Sequence, residues 1–289
     1  MAESFTPPSI VVGVDGSRGA VRAAVWAIDE ALSRDIPLRL VYSIDPHDSE
    51  SADAQDSERR LASAELAMRY AQNAVEDTDR SVKVETEIVE GKPNATLVEA
   101  SRSAAMICVG AVGLKHFDHN RIGSTAISLV SSAHCPVAIV RGSDRNTPHE
   151  PGWVVVELDE SPDSAAVLQC GVEEARLRGA SLRVLGSWQS RYTDVHDTHA
   201  VADGNRIVRA QLDRRISRWK HNYPDLDVRP VAIHGSVLNY LAKHSHAIQL
   251  VVVGAPNATG VEELLGPTGS AFLHNTDCSV LVADRQRLL

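Results

Sequence analysis

Long hydrophobic runs are missing from this 289-residue chain. No apolar stretch approaches the ~20 residues of a membrane-spanning helix, which argues against a bilayer span. The N-terminus, MAESFTPPSIVVGVDGS, lacks the basic flank and apolar core of a secretory signal, so a cytoplasmic location is expected. Cysteine is scarce. Cys108, Cys135, Cys170 and Cys278 are widely scattered with no C-x-x-C spacing, so a disulfide framework or zinc site is disfavoured and reduced, buried thiols are expected. Positive charge is in deficit: 29 Lys and Arg against 38 Asp and Glu leave a net charge of −9. A nucleic-acid binder would need a basic stripe to displace counterions, and that class is set aside. Trp26, Trp153, Trp188 and Trp219 are too dispersed for a stacking platform and read as packing residues.

Several nucleotide and hydrolase motifs are also missing. There is no G-x-x-x-x-G-K-[ST], so the lysine that grips β- and γ-phosphates in P-loop enzymes is absent. No G-x-G-x-x-G follows the first strand-like run, and no G-x-S-x-G elbow occurs. A phospho-receiver would want paired acids at that first strand, where VGVDGS offers only Asp15.

What is present is a sequence written twice. IVVGVDGSRGAVRAAVWAIDEA has a counterpart in VVVELDESPDSAAVLQCGVEEA, pairing Asp15 with Asp159 and Ser17 with Ser161 at an offset of 144. Gly110 and Gly254 keep that offset, while Gly123–Gly266 and Cys135–Cys278 stand at 143, one residue having been lost between them. A register held over more than a hundred residues marks a tandem duplication. Each copy alternates short β-branched runs with helical periodicity: five strands and four helices. In the first copy Val21, Ala24, Val25, Ile28 and Leu32 are expected on the core face of the first helix, and Leu61, Ala64, Leu66, Met68 and Ala71 on that of the second. The fold expected is α/β, two tandem doubly wound five-stranded parallel sheets. Residues 1–143 form the first domain and 150–289 the second, joined by the polar, Pro- and Gly-bearing GSDRNTPHEPG. A loop is expected after the second strand of each copy, PHDSESADAQD and QSRYTDVHDTHAVADG.

The stretch VGAVGLKHFDHNRIGSTA (109–126) leaves the fourth strand at its carboxyl end, where open α/β sheets bind ligands. Gly110 and Gly113 can adopt positive φ and admit close approach of a ligand to backbone. Gly123, Ser124 and Thr125 open a helix whose unpaired N–H groups and positive dipole end suit an anion. A phosphate cradle is one reading; glycines at turns with a serine cap is the other.

The spacing G-x2-G-x9-G-[ST] at Gly110, Gly113, Gly123 and Ser124 resembles the ATP-binding signature of the universal stress protein family. VVGVDGS, LRLVYSID and HCPVAIV are similar to that family as well, and the resemblance extends over both copies, most closely to tandem actinobacterial members. It implies the adenine nucleotide alpha hydrolase-like fold. It implies ATP as ligand, with Mg²⁺ held mainly through the phosphates. By position it implies that Asp15 hydrogen-bonds the nucleoside, that Gly13 and Val14 line its pocket, and that Ser43 meets the adenine edge through its main chain. Gly110 and Gly113 would approach ribose and phosphate, and Gly123, Ser124 and Thr125 would receive the phosphates. The role implied is regulatory, in stress response or growth arrest such as hypoxia or dormancy, through an unidentified protein partner. No catalytic residue is assigned. A slow ATP hydrolase or phosphotransferase is the alternative, and a nucleotide-free scaffold a third reading. The fifth strand of each copy would serve pairing, as an intramolecular pseudo-dimer and in a possible homodimer.

The second copy departs from the signature. Asn257 replaces the second glycine, Pro267 replaces the serine after Gly266, and Glu157, Glu160, Glu262 and Glu263 add negative charge. Proline removes an N–H donor, so this copy is expected to bind nucleotide poorly or not at all. Gly269 and Ser270 offer a shifted cradle as a weaker alternative. His116 and His119, flanking Asp118, read as solvated residues rather than metal ligands; Lys115 and Arg121 read as phosphate neutralisers or ordinary surface charges; His244 and His246 read as surface residues.

Overall fold

A computed structural model describes residues 8–46, 54–114, 122–142, 152–159, 161, 164–189, 198–254, 264, 269 and 276–283. The chain divides after Gly142 into two compact units. The first contains β1 (Ile10–Val14), α1 (Arg18–Arg34), β2 (Leu38–Ile44), α2 (Ala54–Glu76), β3 (Val84–Glu90), α3 (Pro93–Ala100), β4 (Met106–Gly110), α4 (Ser124–Ser132) and β5 (Val137–Val140). The second contains β6 (Trp153–Glu157), α5 (Ser164–Leu177), β7 (Leu182–Trp188), α6 (Thr198–Asn222), β8 (Val228–His234), α7 (Val237–Lys243), β9 (Ile248–Gly254) and β10 (Ser279–Ala283). The segment where the second copy's fourth helix is expected lies almost wholly outside the described residues.

The strands run β3-β2-β1-β4-β5 in the first unit and β8-β7-β6-β9-β10 in the second. Every pairing within each unit is parallel. Both units are therefore doubly wound α/β folds. The order reverses between β1 and β4, and between β6 and β9, which puts a crevice at the carboxyl ends of those strands. Ile10, Val11 and Val12 of β1, like Val154, Val155 and Val156 of β6, are fully buried, as strands covered on both faces require.

The helices bury narrower faces than the apolar pattern suggests. In α1 the buried apolar residues are Ala20, Ala23, Ala24, Ala27, Ile28 and Ala31, while Val25 is exposed. A stripe of alanines lets the helix backbone lie close to the sheet, so the bulkier Val25 turns outward. In α2, Ala64, Met68, Ala71 and Val75 are buried, but Leu61 and Leu66 are exposed. Core direction there follows the small residues rather than the leucines. The loop expected over 189–204 is also shorter than read, because α6 begins at Thr198.

One polar feature is repeated inside the fold. Glu30 of α1 is fully buried and pairs with Arg34 one turn on, at 2.6 Å. Its counterpart Glu174 of α5, 144 positions later, pairs with Arg178 in the same way. A lone buried carboxylate would be costly, and the guanidinium one turn away offsets that cost in both units. Cys108, Cys135 and Cys278 are buried free thiols and Cys170 is half-buried.

Candidate functional site

The crevice of the first unit is built on Asp15, the residue after β1. Its Oδ1 accepts the N–H of Ser17 at 2.9 Å, and Ser17 Oγ in turn caps α1 by accepting the N–H of Ala20 at 3.1 Å. Its Oδ2 accepts the N–H of Leu114 at 3.1 Å. One carboxylate thus ties the exit of β1 to the exit of β4 across the switch point. Gly113 is what permits this: a Cβ there would sit 2.5 Å from Asp15 Oδ2. Gly16, at φ +85°, makes the turn beside it and lies against Leu114, whose side chain is exposed.

The fourth helix starts beside this aspartate. Gly123 is the N-cap of α4 with extended backbone, and no side chain caps the helix. Its own N–H donates to Ala111 O at 2.8 Å, and the first bond inside the helix runs from Ile127 N–H to Gly123 O. The N–H groups of Ser124, Thr125 and Ala126 consequently have no acceptor within α4, as at any helix start. A Cβ at Gly123 would stand 3.9 Å from Gly113 N, so the two glycines face each other. The structure therefore brings Asp15, Gly113, Gly123, Ser124 and Thr125 to one place.

Other expected site residues do different work. Neither Gly110 nor Gly113 has positive φ. At Gly110 a Cβ would meet the Gly19 carbonyl carbon at 2.5 Å and Ala20 N at 2.9 Å, so the missing side chain admits the first turn of α1. Gly19 answers it, its own Cβ position lying 2.8 Å from Val112 O. Gly13 is small because Leu97 and Val109 pack against it, and the Val14 side chain is buried. Gly123 spends its amide on Ala111, so the open amides of the helix start begin at Ser124. Ser43 Oγ is also committed, donating to Gly91 O at 2.6 Å and lying 3.1 Å from Thr96 Oγ1. Its main chain is placed differently. Ile44 O accepts from Gly91 N–H on the β3 side, so the alternating residue Ser43 turns its main-chain groups toward β1. The last β1–β2 pair is Val14–Tyr42, which leaves Ser43 at the rim of the crevice.

Sequence reasoning missed Gly16, Gly19 and the Leu114 amide. A glycine in the first turn of a helix, such as Gly19, is a signal that could have been read. The Leu114 contact carried no signal, since any residue supplies an N–H. Lys115, His116, Asp118, His119 and Arg121 lie outside the described residues. Among the described residues no group of three His, Cys, Asp or Glu could hold a metal ion.

In the second unit the equivalent aspartate is satisfied by hydroxyls. Asp159 Oδ1 accepts the N–H of Ser161 at 3.0 Å and lies 2.5 Å from Ser161 Oγ and 2.6 Å from the buried Ser164 Oγ. Ser164 stands where the first unit has Ala20, so a hydroxyl has been added under the carboxylate. Burial pushes the Asp159 carboxyl up, but the combined hydrogen bonds from Ser161 and Ser164 hold it below the ordinary carboxylate value. Arg215 of α6 donates to its main-chain oxygen at 2.9 Å. Nearby, Trp188 ends β7 with its ring on Gly204, its Nε1–H on Asn205 Oδ1 at 2.9 Å and its centroid 4.6 Å from that of His234. Asn257, Glu160, Glu262, Glu263, Gly266, Pro267 and Ser270 lie outside the described residues. His244 is not a plain surface residue. It ends α7 with Nδ1 2.9 Å from Tyr240 O, and its ring packs at 4.3 Å from Tyr240 and 5.7 Å from Trp153. Arg183 lies over the other side of that cluster, 4.6 Å from the Trp153 ring.

Comparison with known proteins gives the same family for both halves. The universal stress protein family model matches residues 8–141 and again 153–284. A universal stress protein of Mycobacterium tuberculosis is 47% identical over 288 residues, covering all of both chains. Another from the same organism is 40% identical over 281 residues, covering 97% of each. Among solved structures, a universal stress protein from Archaeoglobus fulgidus aligns with a TM-score of 0.69 over 97% of each chain at 16% identity, a likeness of fold.

Proposed function

The chain belongs to the universal stress protein family, and from that premise we propose that its first half binds an adenine nucleotide, ATP foremost, and acts as a regulatory module in stress response or growth arrest. The observation that carries the reading is the meeting of Asp15 with the open first turn of α4 across the Gly113–Gly123 gap. A carboxylate suits amino or hydroxyl donors of a nucleoside, and the amides and hydroxyls of Ser124 and Thr125 suit an anionic tail. Ser43, its main chain at the rim, would meet the base edge. Asp15 and the start of α4 thus each fit a different part of a nucleotide. A bound Mg²⁺ would keep most of its waters and take its protein-independent ligands from the phosphates.

Binding has a structural consequence. Both oxygens of Asp15 already accept main-chain N–H groups, so a nucleoside donor would share a carboxylate oxygen with Ser17 or with Leu114. A donor that meets Oδ2 would compete with the Leu114 N–H, and the exit of β4 would then respond to occupancy.

We read the site as a binding module rather than a dedicated hydrolase. Asp15 is the carboxylate on which the site is built, and its hydrogen bonds hold two chain segments together. Slow hydrolysis is the second reading. Isothermal titration calorimetry with ATP is expected to give a single nucleotide per chain, lost in Asp15→Ala. Multiple turnovers that vanish with Asp15 would instead favour the hydrolase, and no heat with ATP, AMP or cyclic nucleotides would leave the nucleotide reading without support.

A further inference from the structure

Helix α6 carries a charge that the fold does not ask for. It holds six bases, Arg206, Arg209, Arg214, Arg215, Arg218 and Lys220, against Asp203 and Asp213, a net of +4 in a chain of net −9. The equivalent helix of the first unit, α2, holds Arg59, Arg60 and Arg69 against Asp56, Glu58, Glu65 and Glu76, a net of −1. The same place in the same fold thus tolerates either sign. Among the described side chains of α6 only Leu212 and Ile216 are buried, and the bases are exposed.

Part of this charge is uncompensated. Asp203 pairs with Arg206 at 2.9 Å, and Asp213 with Lys220 at 3.1 Å. Arg209 and Arg214 make no ion pair among the described residues. Arg214 and Arg218 are like charges one turn apart, an arrangement that weakens a helix slightly. Ile207, 56% exposed, shares the outward stripe with Ala210 and Arg214 at helical spacing. Beside the stripe a groove of about 520 Å³ is lined by Ala202, Asn205, Arg206, Arg209, Ala210 and Asp213.

We propose that the outward face of α6 docks an acidic segment of another protein, in which carboxylates flank an apolar side chain that seats on Ile207. Three features favour this partner over other anions. Five of the six bases are arginine, whose planar fork pairs with carboxylates. Asp203 and Asp213 interrupt the row, which disfavours a uniform polyanion such as a nucleic-acid backbone but suits a protein segment of mixed charge. One exposed isoleucine serves as an anchor for a side chain and is far too little apolar surface to enter a lipid interface.

The test uses the full chain and three probes in fluorescence anisotropy and sedimentation: a labelled Glu/Leu peptide, a labelled oligouridylate, and phosphatidylglycerol vesicles. The peptide is expected to bind, more weakly as salt rises. The triple variant Arg209→Gln/Arg214→Gln/Arg218→Gln is expected to bind it about tenfold less tightly, as loss of several exposed charge pairs predicts. Ile207→Ser should weaken it about threefold, while Arg59→Gln/Arg69→Gln in α2 leaves it unchanged. Circular dichroism melting distinguishes an unfolded variant, and Arg214→Gln alone then supplies the charge test. Peptide binding indifferent to these arginines would overturn the proposal. So would tighter, arginine-dependent binding of the oligonucleotide or vesicles, or a change of oligomeric state in the variant, which would make a second copy the occupant.

Discussion

Asp15 and Asp159 stand at the same place in the two copies, yet they are held in different ways. Asp15 is held by amides that belong to two loops, Ser17 after β1 and Leu114 after β4. Asp159 is held by amide and hydroxyl groups of its own turn, Ser161 and Ser164. The first arrangement bridges the crevice between two strand exits. The second folds the carboxylate back onto the start of α5 and makes it a local cap. What the two copies share is structural: the order of the strands and the buried Glu–Arg pair of the first helix. After duplication the framework was held by packing while the crevice was free to change.

That contrast can be broken by substitution. The largest effect is expected on binding. Asp15→Ala should lower ATP affinity about 10- to 100-fold, the worth of a hydrogen bond to a charged group, whereas Asp159→Ala should leave it within about twofold. Calorimetry on both variants checks this, and equal losses would mean that the two copies bind alike. Next, Gly110→Ala should destabilise the first unit by about 3 kcal/mol in urea unfolding, because the new methyl meets the backbone of Gly19 and Ala20 rather than a side chain that can move. Gly13→Ala, which meets the flexible end of Leu97, should cost about 1 kcal/mol. Gly113→Ala should lower ATP affinity by about tenfold with little loss of stability, since the added methyl displaces Asp15 Oδ2 alone.

The smallest effect is on pH. The folded-state pKa of Asp159 is lowered, so its contribution to stability is present above the ordinary carboxylate value of about 3.9 and is lost as pH falls through the folded value. Melting of Asp159→Asn should therefore show a slightly weaker acid dependence than wild type below about pH 4. An identical acid dependence would detach the Ser161–Ser164 contacts from stability.

Much of the fold was legible in the sequence. The 144-residue offset, the five strand runs and the alternation with helices follow from periodicity, and burial on both faces follows from β-branched content. The faces of α1 and α2 were legible only in part. Val25 and Leu66 are apolar at helical spacing, but the sheet accepts the alanine stripe, which approaches more closely, and leaves them outside. At the site, Asp15 and the Gly123–Ser124 helix start stood out because glycine before hydroxyls at a strand–helix junction is unusual. The glycines were less transparent, since a missing side chain does not say which neighbour needs the room.

The sequence by itself determined that this is a duplicated parallel α/β chain, that its two copies differ after the fourth strand, and that its crevices lie at the strand ends. Those are properties of local pattern and of repeat register, which a chain carries before it folds. Only the tertiary structure decided that Gly110 makes room for α1 while Gly113 makes room for Asp15, and that the Asp15 carboxylate is shared with a loop a hundred residues away. Contacts at that separation depend on where strands and helix starts meet in space, and no spacing along the chain encodes which atoms arrive there.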